Sequence, residues 1–166
     1  MEINRDSTHN RVAARSHGTG SLQKIYSVIV RQAGAIDAVA LLAGRLLLAR
    51  TFLLSGLTKW NGFTIRDDTF YLFSDEYFGS YGLPQGFTDA MAIAASFGEI
   101  ILPLLLILGL FTRMAATGIL LMTLVIQIFV YPDAWWTVHA WWATVALLLM
   151  ARGPGRVSLD RLLRID

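Results

Sequence analysis

The stretch IDAVALLAGRLLLARTFLLSGLTKW, residues 36–60, decides the fold of this chain. A helix that crosses a bilayer core of about 30 Å needs roughly 20 mostly apolar residues at 1.5 Å each. This stretch supplies 25 without a proline. Residues 88–111 are long enough in the same way, while 114–131 and 135–151, with 18 and 17 residues, need the flanking Trp, Tyr and Arg at the interfaces to complete a crossing. A long loop at 61–87, a tight turn at Thr112 and Arg113, and a short link around Pro132 and Asp133 join them. Connections of this kind predict an all-α membrane protein, an antiparallel bundle of four transmembrane helices.

Composition agrees. The 166 residues are 55% hydrophobic and 16% charged, with a mean hydropathy of +0.53. The stretches after residue 36 have too few polar residues to cover a soluble core, and the same balance excludes a disordered chain or a nucleic-acid-binding arm. Cysteine is absent. Disulfides, thiolate metal sites, iron–sulfur clusters and a cysteine nucleophile are excluded with it.

Residues 1–23 are polar and read as a mobile tail. No apolar segment with a small-residue cleavage site opens the chain, so the first span is expected to act as the insertion signal. Residues 24–35 mix Ile25, Val28 and Ile29 with Lys24, Arg31 and Gln32 at helical spacing, which suits a short interfacial helix. A membrane domain over 36–151 and a basic tail over 152–166 complete the expected organisation. The N-terminal segment, the Arg113 turn and the C-terminal tail together hold ten Arg or Lys, against Arg66 and the bordering Lys59 on the other face. That second face carries Asp67, Asp68, Asp75, Glu76, Asp89 and Asp133. Both termini are therefore expected in the cytoplasm, with the acidic loop outside.

The chemistry is sought where polar residues interrupt the apolar stretches: Arg45, Arg50, Lys59, Glu99, Gln127 and His139. A charge near the bilayer centre costs at least about 2.5 kcal/mol on insertion scales, so each needs a partner. Counted from the helix ends, Arg45 and Arg50 straddle the middle of the first span and Glu99 lies near the middle of the second. Lys59 falls about a dozen ångströms further out. Arg45 and Lys59 share a face, whereas Arg50 is turned roughly 140° from Arg45. One reading makes Glu99 and Arg45 a buried ion pair that fixes register, with Arg50 snorkelling or bonded to carbonyls. The other makes Arg45 and Glu99 a proton-handling or headgroup site. Pro103, four residues beyond Glu99, removes the helical donor to the Glu99 carbonyl and so would place a free carbonyl beside the carboxylate.

A second cluster runs from Tyr131 to Trp142, largely an aromatic belt. Trp135, His139 and Trp142 share one helical face, and Gln127 lies at similar depth, so His139 either faces the bundle or is an ordinary interfacial histidine. Haem is not expected, because His9 and His17 lie at the opposite end, and an internal metal site lacks ligands for the same reason. Gly44, Gly56, Gly98, Gly109 and Gly118 read as close-packing positions. No phosphate-binding loop, dinucleotide fingerprint or nucleophile elbow is present.

Taken in order, Arg45, the SGLTK of residues 55–59, Glu99 and the LGLFTR ending in Arg113 resemble the DoxX family of small bacterial inner-membrane proteins. The resemblance spans about 38–151. Further matches, DEY at 75–77, QIFVYPDAW at 127–135, His139 and ARGPGRVSLD at 151–160, resemble the subgroup that accompanies maturation of copper-binding peptides, sometimes called HvfX. The resemblance implies a relation to the membrane subunit of thiosulfate:quinone oxidoreductase and to membrane components of oxidant-detoxifying complexes. It places Arg45, Lys59, Glu99 and Arg113 at the family positions, and Asp75, Glu76, Asp133 and His139 at the subgroup ones. A quinone or a partner subunit would have to carry electrons, since the chain lacks a redox-active side chain of the usual kind. Three readings remain: a quinone-binding membrane component of a redox or peptide-maturation system, a non-catalytic scaffold that recruits a partner enzyme, and a small transporter. In the first, Glu99 and Arg45 hold and protonate the headgroup, and Lys59, His139, Arg50 and Gln127 complete the binding site.

Overall fold

In a computed structural model the backbone is described from Asp6 to Ile165 and side chains from Gln32 onward. The chain divides into two compact units, residues 1–39 and residues 40–166. The first is helical throughout its described backbone and belongs to α1, Asp6–Thr58. The expected tail at 1–23 and the separate interfacial helix at 24–35 are not distinct elements, because from residue 6 both lie within α1. The first proline of the chain is Pro84, so nothing upstream removes a helical N–H. Residues 1–5 lie outside the described residues, as do the side chains on which a place at the membrane surface depends.

Four helical segments are long and apolar enough to cross a membrane: Gln32–Thr58, Gln85–Leu108, Thr112–Val130 and Pro132–Arg152. This is the expected all-α four-helix membrane protein. The last two reach 19 and 21 residues, so they need less help from their flanks than the sequence count suggested. In the third span, α4 (Thr112–Val125) runs on into a π-helical turn at Ile126–Val130. A 3₁₀ turn, Pro132–Ala134, and a second π-helical turn, Trp135–His139, lead into α5, Ala140–Arg152.

The loop after α1 is built, not slack. A two-stranded hairpin pairs β1 (Trp60–Asn61) with β2 (Thr64–Ile65). Then follow α2 (Asp67–Tyr71), a π-helical turn at Leu72–Tyr77 and a 3₁₀ turn at Gly79–Tyr81. Phe73 and Phe78 bury against Ala92 of α3 (Gln85–Leu108), which fixes the loop to the first turns of that helix. The main core lies between the helices, where Leu48, Leu106, Ile119 and Leu149 are fully buried.

The opposite end is closed by the C-terminal segment. Gly109 takes a left-handed conformation (φ 65°) that ends α3. The Asp160 carboxylate accepts from the backbone N–H groups of Phe111 (2.6 Å) and Thr112 (2.9 Å), capping α4 from α6, Leu159–Leu163. The stretch expected as a basic tail is thus partly a structural element.

Candidate functional site

The partner of Glu99 is Lys59. Nζ of Lys59 donates to Oε2 of Glu99 at 2.5 Å and to Oγ of Ser55 at 3.3 Å, with both charged residues buried. The expected Arg45–Glu99 pair does not form. Arg45 instead donates to the carbonyl oxygens of Leu106 (2.9 Å), Ile107 (3.2 Å), Pro154 (2.7 Å) and Val157 (2.7 Å). At the end of α3 the Leu106 carbonyl has only the capping Gly109 N–H at 3.1 Å beside Arg45, and a planar guanidinium can serve several such acceptors at once. Arg45 is therefore a structural pin on backbone carbonyls and does not line the cavity described below. Arg50 lies exposed on α1 and does not reach the cavity described below.

The depth estimate that set Lys59 apart from Glu99 fails because the two helices do not start level. After Lys59 the chain turns back onto α3: the Trp60 indole donates to the Ser96 carbonyl at 3.2 Å, one turn before Glu99. α3 thus rises past the end of α1. Gly56 makes the approach possible, since a Cβ there would stand 2.7 Å from the Glu99 carbonyl oxygen. That carbonyl, freed by Pro103, packs on the Gly56 backbone instead of opening beside the carboxylate.

Lys59 and Glu99 line a cavity of about 520 Å³ whose walls are otherwise mostly apolar, from Phe73 and Phe78 of the loop to Met122 of α4. His139 faces it from the fourth span. All three π-helical turns contribute to its walls, through Tyr77, Val130 and His139. Such turns recur at functional sites because they redirect side chains from the regular helical register. Leu121 and Tyr131, 59% and 56% exposed, also line the cavity and carry it to the protein surface.

Hydrogen bonding fixes the state of the imidazole. The Pro132 carbonyl can only accept, so the Gln127 amide turns its NH₂ toward it (2.5 Å) and its Oε1 toward Nδ1 of His139 (2.6 Å). Nδ1 must then carry a proton, and in the neutral ring Nε2 keeps the lone pair. Gln127 accordingly orients His139 and does not itself line the cavity. Trp142, with its ring 5.0 Å from His139, also lines the cavity, and its indole N–H is buried with no hydrogen-bond partner among the described residues.

Three residues of the site escape a reading of the sequence: Ser55, Tyr77 and Trp142 in its role as an orphaned donor. Ser55 carried a signal, standing four residues before Lys59 on the same helical face. Tyr77 stood in the DEY of residues 75–77 that carries the subgroup resemblance, but its place at the cavity depends on the fold of the loop. Burial first, then the neighbouring Tyr131, pushes the Tyr77 phenol well above the usual tyrosine range. At the loop surface Arg66 and Asp68 pair at 2.6 Å, which raises the guanidinium and lowers the carboxyl.

Four apolar spans, with a cavity and the buried Lys59–Glu99 pair among them, define a small multi-pass membrane protein. Residues 40–132 match the DoxX family model, and the chain belongs to the DoxX family. It is 30% identical over 147 residues to an uncharacterized protein of Haemophilus influenzae (strain ATCC 51907 / DSM 11121 / KW20 / Rd), a match covering 79% of this chain and 87% of that protein. No solved structure matches.

Proposed function

We propose that this protein binds a quinone, or a small ligand of the same chemistry, inside its helical bundle and serves as the membrane component of a redox or peptide-maturation system. The observation that carries this reading is the Lys59–Glu99 pair set in the wall of an apolar cavity. A volume of about 520 Å³ falls within the roughly 300–1,000 Å³ of small-molecule sites, and apolar walls with a few polar groups are their usual lining. The donor set fits a ring bearing oxygens. Lys59 donates, while Glu99 and the lone pair of His139 accept. A bound quinone would supply the electron-carrying chemistry that no side chain here provides. The protein's own part is to hold the ring in a dry pocket and to offer proton donors and acceptors at its oxygens.

The setting proposed is the bacterial cytoplasmic membrane, with the basic termini in the cytoplasm and the acidic loop outside. The subgroup motifs favour peptide maturation as the system served, with a protein partner carrying the remaining chemistry.

The test is mass spectrometry of the protein purified gently from its native membrane, beside a Lys59→Met/Glu99→Gln double variant that leaves no unpaired charge. A stoichiometric quinone in the unaltered protein, lost from a folded double variant, is the expected result. If none co-purifies and added short-chain ubiquinone or menaquinone fails to bind, the reading is overturned.

A further inference from the structure

A second cavity, of about 350 Å³, lies on the loop side of Lys59. Its walls differ in kind from those of the first, since Thr58, Asp68, Tyr71 and Glu76 contribute to it and all four are exposed. This is a polar recess open to water. The residues that line both cavities are Ser55, Lys59 and Tyr77. Each of the three carries an exchangeable proton on its side chain. Glu99 lines the apolar cavity and not the polar one.

We propose that Ser55, Lys59 and Tyr77 form a proton-passing wall between the two cavities, through which the buried Glu99 exchanges protons with water on the loop side while the apolar cavity stays dry. Three facts support this arrangement. Lys59 already donates to both Ser55 and Glu99, so a proton leaving or reaching the carboxylate has a bonded neighbour on the watery side. The titratable groups lining the two cavities around the pair are Tyr77 and Glu76 of the loop turn, Asp68 and Tyr71 of α2 and, across the apolar cavity, Tyr131 and His139. Glu76 and Asp68 are acceptors exposed at the loop-side mouth. An ion pair sealed on every side would only hold two helices together, whereas this one has an apolar space on one face and a hydrated one on the other.

The step balances without an added reactant. A ligand hydroxyl gives its proton to the Glu99 carboxylate and is left as the oxyanion; Lys59 releases a proton to water in the loop-side recess and takes the one held by Glu99, so the pair ends charged as it began. This use of the wall rests on the ligand-binding reading; the wall itself does not.

The chain has two lysines, Lys24 and Lys59, so the experiment is direct. In the full-length protein in lipid nanodiscs, labelled with ¹⁵N at lysine Nζ, Lys24→Arg leaves Lys59 as the single lysine signal, and its exchange with water is measured. Thr58→Trp and, separately, Leu72→Trp fill the loop-side recess, while Val125→Trp fills the apolar cavity. The expected result is measurable exchange that either loop-side variant slows by roughly tenfold or more and that Val125→Trp leaves unchanged, as opening toward one side requires. Exchange unaffected by both loop-side variants, or slowed instead by Val125→Trp, overturns the proposal. Saturating the unaltered protein with short-chain ubiquinone repeats the apolar-side block without a substitution. Failure of that quinone to bind counts against the ligand reading alone, because the variant series still decides the wall.

Discussion

Arg45 and Lys59 stand fourteen residues apart on one face of α1, both buried and both cationic, yet they do different work. Arg45 has four carbonyl partners drawn from the end of α3 and from the segment after α5. A Cβ on Gly109 would lie 2.8 Å from two of its nitrogens, which leaves no room for anything else. Lys59 has one carboxylate, one hydroxyl and a cavity on either side. Its ammonium has three hydrogens, and two are committed to those partners. A buried cation saturated by backbone holds a fold together, while one with donors left over beside open space can receive a ligand or move a proton.

The contrast breaks most visibly at Arg45. Arg45→Ala removes a charged donor from four carbonyls, two in buried bonds and two in part-buried ones, with only Leu106 keeping a backbone donor, the Gly109 N–H; at about 1–3 kcal/mol for each acceptor left short, the loss is about 3–4 kcal/mol. The expected outcome is a protein that fails to fold or that melts far below the wild type in detergent. Arg45→Lys should rescue it poorly, since an ammonium cannot span the four acceptors as a guanidinium does.

Lys59→Met leaves Glu99 buried without its partner and is expected to destabilise by about 3 kcal/mol. Adding Glu99→Gln should recover most of that loss without restoring ligand binding. Thermal unfolding paired with quinone content reads both, and recovery of binding in the double variant would show that the pair is architectural after all.

Gly56→Ala tests the contact that brings the pair together. Its Cβ would meet the Glu99 backbone at 2.7 to 2.9 Å, and overpacking of this kind costs about 1–3 kcal/mol. Stability and ligand content should fall together, because moving α1 outward pulls Lys59 from Glu99. At the far end Asp160→Asn weakens the cap on α4 by about 1 kcal/mol, and ligand content should not change. That pairing of outcomes separates the two regions in a single assay.

The smallest effect is one of pH. Tyr77 holds its proton more tightly folded than unfolded, so its contribution to stability is intact below the ordinary tyrosine value of about 10. Stability then falls as pH rises beyond that value, because the unfolded chain ionises first. Tyr77→Phe should flatten the alkaline side of the stability curve, and unfolding midpoints between neutral and strongly alkaline pH measure it.

Much of the fold was legible in the sequence. The four spans were readable because bilayer thickness imposes a minimum run of apolar residues, and their observed ends differ from the expected ones by a few positions. Glu99, Lys59 and His139 stood out because a polar group in such a run demands a reason. Arg50 stood out equally and does not reach the cavity, since a long side chain can leave the apolar region on its own. The two π-helical turns that aim Tyr77 and His139 left no trace in the apolar pattern, which cannot tell a π turn from the α-helix around it.

What the sequence determined by itself was the membrane fold, the family and the small set of buried polar residues from which a site could be made. Which of two cations meets Glu99 was decided only by the tertiary structure. Helical periodicity fixes the face on which a residue lies but carries no information about how far one helix is shifted along its neighbour. Here that shift is set by the loop folding onto the first turns of α3 and by the bare backbone of Gly56, and it brings Lys59 level with Glu99 while leaving Arg45 to the carbonyls at the other end.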